Sequence, residues 1–132
     1  MQTNSIKVTL SIKNPKTAKT LEDAITSVSE YHLLREDTKD PADLLIFELA
    51  GDLDKDFQNI RSLIDLGVAG DVFLTSTDFT PEVLQQAIRE GVKDFFSQPI
   101  NAIEVKQSLE RFSNQRGKLN PDGSIYNKKA KL

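Results

Sequence analysis

The chain has 132 residues, no Cys and no Trp, with 38% hydrophobic and 28% charged residues and a formal net charge of −3. That length suits one globular domain able to bury on the order of two-thirds of its unfolded surface. The missing cysteines exclude a disulfide scaffold, a thiolate metal site and a Cys nucleophile, and the single His32 excludes a multi-histidine metal centre within one chain.

Residues 6–12 alternate apolar and polar side chains at period 2 and are rich in β-branched residues, which predicts a strand that Asn14-Pro15 breaks. Leu21, Ala24, Ile25 and Val28 then recur at helical spacing. They predict a helix over 20–31, with Thr20 as N-cap and Glu22 and Asp23 at the positive end of its dipole. A short second strand is expected over 31–35, and Asp40-Pro41-Ala42-Asp43 reads as a turn. The most apolar run follows, Leu44-Leu45-Ile46-Phe47, ending in Glu48. A strand with no polar alternation has to be covered on both faces, as in the middle of a parallel sheet.

Phe57, Ile60, Leu63, Ile64 and Leu66 form the next helical stripe, stopped by Gly67, and residues 72–77 predict another strand. Thr80 then caps a helix that has Pro81 at its first position, buries Val83, Leu84, Ala87 and Ile88, and stops at Gly91. Residues 94–97 form the last expected strand before Pro99. Asn101 caps a final helix through Ile103, Val105, Leu109 and Phe112. Residues 36–40 are too short and polar to decide whether a further helix separates the second and third strands. The order is therefore β-α-β-β-α-β-α-β-α or five βα units. Strands alternating with helices predict a three-layer α/β/α sandwich around a parallel sheet.

After about Asn114 the apolar periodicity ends. Residues 1–114 are taken as the folded domain and 115–132 as a polar, basic linker. Charge divides at nearly the same place: residues 1–110 carry 11 Lys and Arg against 19 Asp and Glu, and residues 111–132 carry 6 against 1. An acidic body lacks the basic face of a nucleic-acid reader, and the Lys128-Lys129-Ala130-Lys131 run reads as a solvated tail, so no nucleic-acid partner is expected. No apolar run approaches the roughly 18 residues of a membrane helix, and no apolar signal core opens the chain. A soluble, cytoplasmic protein without membrane insertion is expected.

Several chemistries fail on spacing. The six glycines, at 51, 67, 70, 91, 117 and 123, form neither a dinucleotide fingerprint nor a phosphate loop. This also disfavours a flavodoxin-like cofactor binder, and no cofactor is expected. Asp52, Asp54 and Asp56 have the spacing that opens a calcium loop, but the sixth position is Phe57 where Gly is needed and the twelfth is Leu63 where Glu is needed. They read as the solvated start of a helix, so no metal site is expected. No serine sits in a nucleophile elbow that could recruit His32, which reads as a structural histidine at or near the surface.

Residues 43–109 resemble the receiver domain of bacterial response regulators, the CheY-like fold with five parallel strands in the order 2-1-3-4-5. Asp43-Leu44-Leu45-Ile46-Phe47-Glu48 is similar to the third-strand motif that ends at the phosphoacceptor. Ser76 falls at the small hydroxyl position that ends strand four. Ala87-Ile88-Arg89-Glu90-Gly91-Val92-Lys93-Asp94-Phe95-Phe96-Ser97-Gln98-Pro99-Ile100 resembles the signature that joins a helix stop, an aromatic strand and a Pro, which the resemblance suggests is cis. With the first strand, the resemblance covers 6–114.

The departures bear directly on function. A working receiver has an acidic pair closing strand one, an Asp closing strand three and a Lys before the Pro. Here those places hold Ser11-Ile12-Lys13-Asn14, Glu48 and Gln98. Without the acidic pair a magnesium ion lacks its hard oxygen ligands. Glu48, Ser76 and Gln98 thus form a degenerate phosphoacceptor site, with Phe95 at the position of the switch aromatic. Two readings of Glu48 stay open: it mimics a phosphorylated Asp, or it is a packing residue, solvated or hydrogen-bonded to Ser76 or Gln98. The resemblance implies a non-enzymatic, phosphorylation-independent interaction domain. The alternative is a receiver that still accepts phosphate, at Glu48 or Ser76.

The loss of the Asp, the aromatic-aromatic-x-x-Pro ending and the Lys-rich end also resemble the N-terminal domain of CpaE/TadZ pilus-assembly proteins. That likeness implies protein partners in pilus assembly, a homodimer, a ParA/MinD-like ATPase domain after Leu132 and recruitment to a membrane-associated or polar complex. By the receiver resemblance, the contact surface lies on the helix after Pro81, the strand from Asp94 and the helix after Asn101. Gln85, Gln86, Arg89, Lys93, Lys106 and Glu110 are its exposed candidates.

Overall fold

The computed structural model describes residues 5–35 and 40–116. Its elements run β1 (Ile6–Ser11), α1 (Pro15–Thr26), β2 (Tyr31–Leu33), β3 (Ala42–Glu48), α2 (Leu53–Asp65), β4 (Ala69–Ser76), α3 (Pro81–Arg89), β5 (Asp94–Ser97) and α4 (Ala102–Arg116). All pairings are parallel and the sheet order is β2-β1-β3-β4-β5. This is the expected three-layer sandwich. Of the two element orders the sequence allowed, the described residues follow the one with no helix between β2 and β3; apart from Asp40, residues 36–40 lie outside them. The linker beyond Arg116 also lies outside, and α4 itself runs two residues past the expected boundary at 114.

β3 shows why its apolar run had to be continuous. Leu44 and Ile46 face one cluster, with Leu21 and Ile25 of α1 and Val105 and Leu109 of α4, while Leu45 and Phe47 face another, with Phe57 and Ile60 of α2 and Ala87 of α3. Phe73 on β4 anchors the first cluster, edge-to-face against Phe96 at 5.5 Å and Phe112 at 5.6 Å. Such aromatic pairs add about 0.5–1.5 kcal/mol beyond the area they bury. The Tyr31 hydroxyl donates to the Leu109 carbonyl at 2.6 Å, joining the start of β2 to α4.

Three expectations are corrected. The first helix begins at Pro15, not Thr20: Asn14 is its N-cap, the Asn14 Oδ1 accepting the Lys16 and Thr17 amides, and Thr20 donates back to the Lys16 carbonyl from inside the helix. Asn-Pro ends the strand and also starts the helix, because Pro at the first helical position has no amide to leave unpaired. Ala42 and Asp43, expected in a turn, open β3, where Asp43 Oδ2 accepts the Lys7 amide at 2.9 Å. Asp56 is not solvated. It is 3% exposed and its Oδ2 accepts the Ala50 amide at 2.8 Å, fixing the loop between β3 and α2, while Asp52 caps the helix and Asp54 stays at its exposed start.

The two helices on the α2 face end alike. Gly67 (φ 77°) donates to the Ile64 carbonyl and Val68 to the Leu63 carbonyl; Gly91 (φ 83°) donates to Ile88 and Val92 to Ala87. This paired closure of the last carbonyls needs a residue at positive φ, which glycine adopts without a Cβ clash.

Candidate functional site at the carboxyl edge of the sheet

In an open parallel α/β sheet, ligand chemistry gathers beyond the carboxyl ends of the strands where the strand order reverses, here between β1 and β3. At that place Glu48, the last residue of β3, projects its carboxylate. Glu48 Oε1 accepts the backbone amides of Lys13 at 2.6 Å and Asn14 at 3.1 Å, and Oε2 accepts the Gln98 side-chain amide at 2.8 Å. Lys13 and Asn14 form the turn from β1 into α1, and Gln98 precedes the cis peptide to Pro99 that leads towards α4. One carboxylate therefore ties three segments together.

The electrostatics follow from those donors. Partial burial works to raise the Glu48 pKa. The hydrogen bonds from Gln98, Lys13 and Asn14, with the charge of Lys13, outweigh it and hold the carboxyl below its ordinary value. Where a cation site would need hard oxygen ligands after β1, this edge turns N–H groups towards an anion. Among the described residues, no three His, Cys, Asp or Glu side chains stand close enough to share a metal ion.

Ser76 takes no part in this contact. Its hydroxyl donates to the Asp78 carbonyl and accepts the Asp78 amide, both at 3.2 Å, a local turn within the loop after β4. Its neighbour Thr75 is fully buried and donates to the Phe96 carbonyl at 2.8 Å, pinning β5 to β4. Phe95 is half-buried against Phe79, ring centres 5.9 Å apart. Of the four expected site residues the structure joins two, Glu48 and Gln98. Two open grooves lie at this edge: one of about 490 Å³ lined by Asn14, Lys16, Thr17, Thr77, Gln98 and Pro99, and one of about 400 Å³ lined by Leu49, Gly51, Ser76, Asp78 and Thr80.

The six expected interface residues do not make one patch. Gln85 and Arg89 are exposed on α3 and Lys93 on the turn before β5. Gln86 donates to Glu90 at 2.9 Å, and Glu90 also pairs with Arg61 of α2, so Gln86 belongs to the seam between the two helices. On α4, Ser108 and Arg111 both reach Asp94 at the start of β5. At about 100° per residue, Lys106 and Glu110 each lie about 200° from Ser108, on the flank turned away from β5. The exposed apolar side chains Ile88 (66%) and Ile103 (68%) were not singled out as surface residues by the sequence, where both read as members of buried stripes. His32 is exposed on β2, as a structural histidine near the surface would be.

No protein-family model matches the sequence, and neither does any curated protein. Solved structures do match the fold. A response regulator from Thermotoga maritima superposes with a TM-score of 0.72 at 10% identity, covering 83% of this chain and 98% of that one. This chain has the receiver fold. Among the other structures that share it are two described as pilus assembly proteins CpaE. The one from Caulobacter crescentus has a TM-score of 0.67 at 18% identity over 81% of this chain and 98% of that one. The other, a putative CpaE from Burkholderia thailandensis, has 0.65 at 22% over 83% and 99%. Glu48 is the last residue of the central strand β3, and Gln98 precedes the cis bond to Pro99 after β5. Among the described residues, no helix is long and apolar enough to cross a membrane.

Proposed function

We propose that this chain is a non-catalytic, phosphorylation-independent receiver-like interaction domain serving pilus assembly. The observation that carries the reading is the Glu48 carboxylate, whose two oxygens are taken up by the Lys13 and Asn14 amides and by Gln98. A phosphoryl group and its magnesium ion would have to displace three donors that favour an anion already in place. The longer Glu side chain and the neutral Gln98 supply neither the usual acceptor nor a cation for it. The pilus-assembly setting rests on the CpaE structures among the fold's relatives. In that setting the partners are proteins, a second copy of this chain included. A ParA/MinD-like ATPase domain would follow in the full-length protein, with the whole acting in the cytoplasm at a membrane-associated or polar complex.

Beryllofluoride with magnesium, a mimic of the aspartyl phosphate, tests the reading when titrated against amide chemical shifts. No saturable change is expected. Saturable shifts at Glu48, Ser76 and Phe95 would establish the phosphorylatable receiver in its place.

A further inference from the structure

We infer that the Lys13 amide, the Asn14 amide and the Gln98 side-chain amide form an oxyanion cradle whose resident is the chain's own Glu48, and that this contact is the latch setting α1 and the approach to α4 against the sheet. The inference deepens the proposed function and rests on it in one respect, that Glu48 carries a free carboxylate.

The three N–H groups come from two connections far apart in sequence, 13–14 and 98, and converge on a side chain from a third, at 2.6, 3.1 and 2.8 Å. Neither Lys13 nor Asn14 lies inside α1, and the first free amides of that helix, at Lys16 and Thr17, are already taken by the Asn14 side chain. The Lys13 and Asn14 amides therefore depend on Glu48. The Gln98 side-chain amide likewise donates to Glu48. Beyond these donors lie the two helices of one layer, α1 and α4, packed on each other through the cluster containing Leu21, Ile25, Val105 and Leu109. In a receiver that is switched, an external phosphoryl group would change the contacts at this edge. Here the Glu48 carboxylate makes the three contacts itself.

Removing the carboxylate while leaving the donors tests this. In Glu48→Ala, amide hydrogen exchange at Lys13 and Asn14 should speed up roughly tenfold or more, as loss of hydrogen bonds to a charged acceptor predicts, and the segment 98–102 should lose protection with it. Acetate or formate should restore protection in both segments, with saturation, and should leave the wild-type chain unchanged. Glu48→Gln serves as the folded control: its amide oxygen can accept from Lys13 and Asn14 while Gln98 turns its own oxygen to the new NH2, so most protection should persist. Unchanged exchange in Glu48→Ala overturns the latch. So does loss confined to 13–14, loss spread evenly over the sheet, or restoration by chloride as well as by carboxylates. These outcomes are separate from the beryllofluoride result: a chain that takes beryllofluoride refutes the proposed function, whereas a Glu48→Ala chain with unaltered exchange refutes only the latch.

Discussion

Glu48 gathers its effect from the change of one methylene and one neighbouring charge. Its folded-state pKa lies below the ordinary value of 4.5, so the ionised form is the one the fold favours. The sign follows from linkage: the stabilisation is fully present above 4.5 and is lost as the pH falls through the lower, folded-state value. Glu48→Gln cannot ionise, so wild type should exceed it in thermal midpoint above pH 4.5, and the gap should close on further acidification. A gap that stays constant or widens in acid would contradict the assigned hydrogen bonds. At this scale the sequence was partly legible. The identities at 48 and 98 departed from what the receiver resemblance implies, and Gln98 was one of the two partners expected for Glu48. The backbone donors were not legible, because an amide carries no sequence letter; only the path of the turn after β1 shows that Lys13 and Asn14 aim theirs at Glu48. Asp56 was misread for a related reason. An acid in the first turn of a helix is normally explained by the dipole, and nothing local reveals that the preceding loop folds back over it.

Elements were read well where one short-range signal decided them. β5 was expected over 94–97 and occupies Asp94–Ser97, and Thr80-Pro81 marks the start of α3 as written. The first helix was placed five residues late. Its opening turn is largely exposed and carries no apolar stripe, so the periodicity that identifies a helix starts only at Leu21. The two glycine-closed helices allow a clean test of backbone conformation. A Cβ added at Gly91 would meet nothing within 4 Å, so Gly91→Ala should cost only the penalty for a left-handed residue, about 1–2 kcal/mol. Denaturant unfolding should show a lower midpoint with an unchanged slope. A neutral result would mean that the α3 terminus relaxes to another closure.

For the whole molecule, the order of the strands came from the receiver resemblance, while the layered sandwich and the two-sided burial of β3 followed from the alternation of patterns along the chain. The grouping of surface residues did not, because it depends on the rotation of each helix about its axis. Arg111 and Ser108 turn one stripe of α4 to β5 and carry Lys106 and Glu110 round to the other side. A contact face next to β5 would therefore draw on α3, where Ile88 is exposed beside Arg89. If a second copy docks on this face, as proposed, Ile88→Glu should leave stability within about 0.5 kcal/mol, as for an exposed position, and weaken self-association in sedimentation equilibrium. A variant that associates as wild type would remove α3 from the interface.

The sheet ends in strands of three and four residues, β2 and β5. Edges this short give a neighbouring chain little backbone on which to extend the sheet from one molecule to the next, and short edge strands are one way proteins resist open-ended strand addition. Two copies of such a domain would therefore meet through side chains sooner than through a continuous sheet.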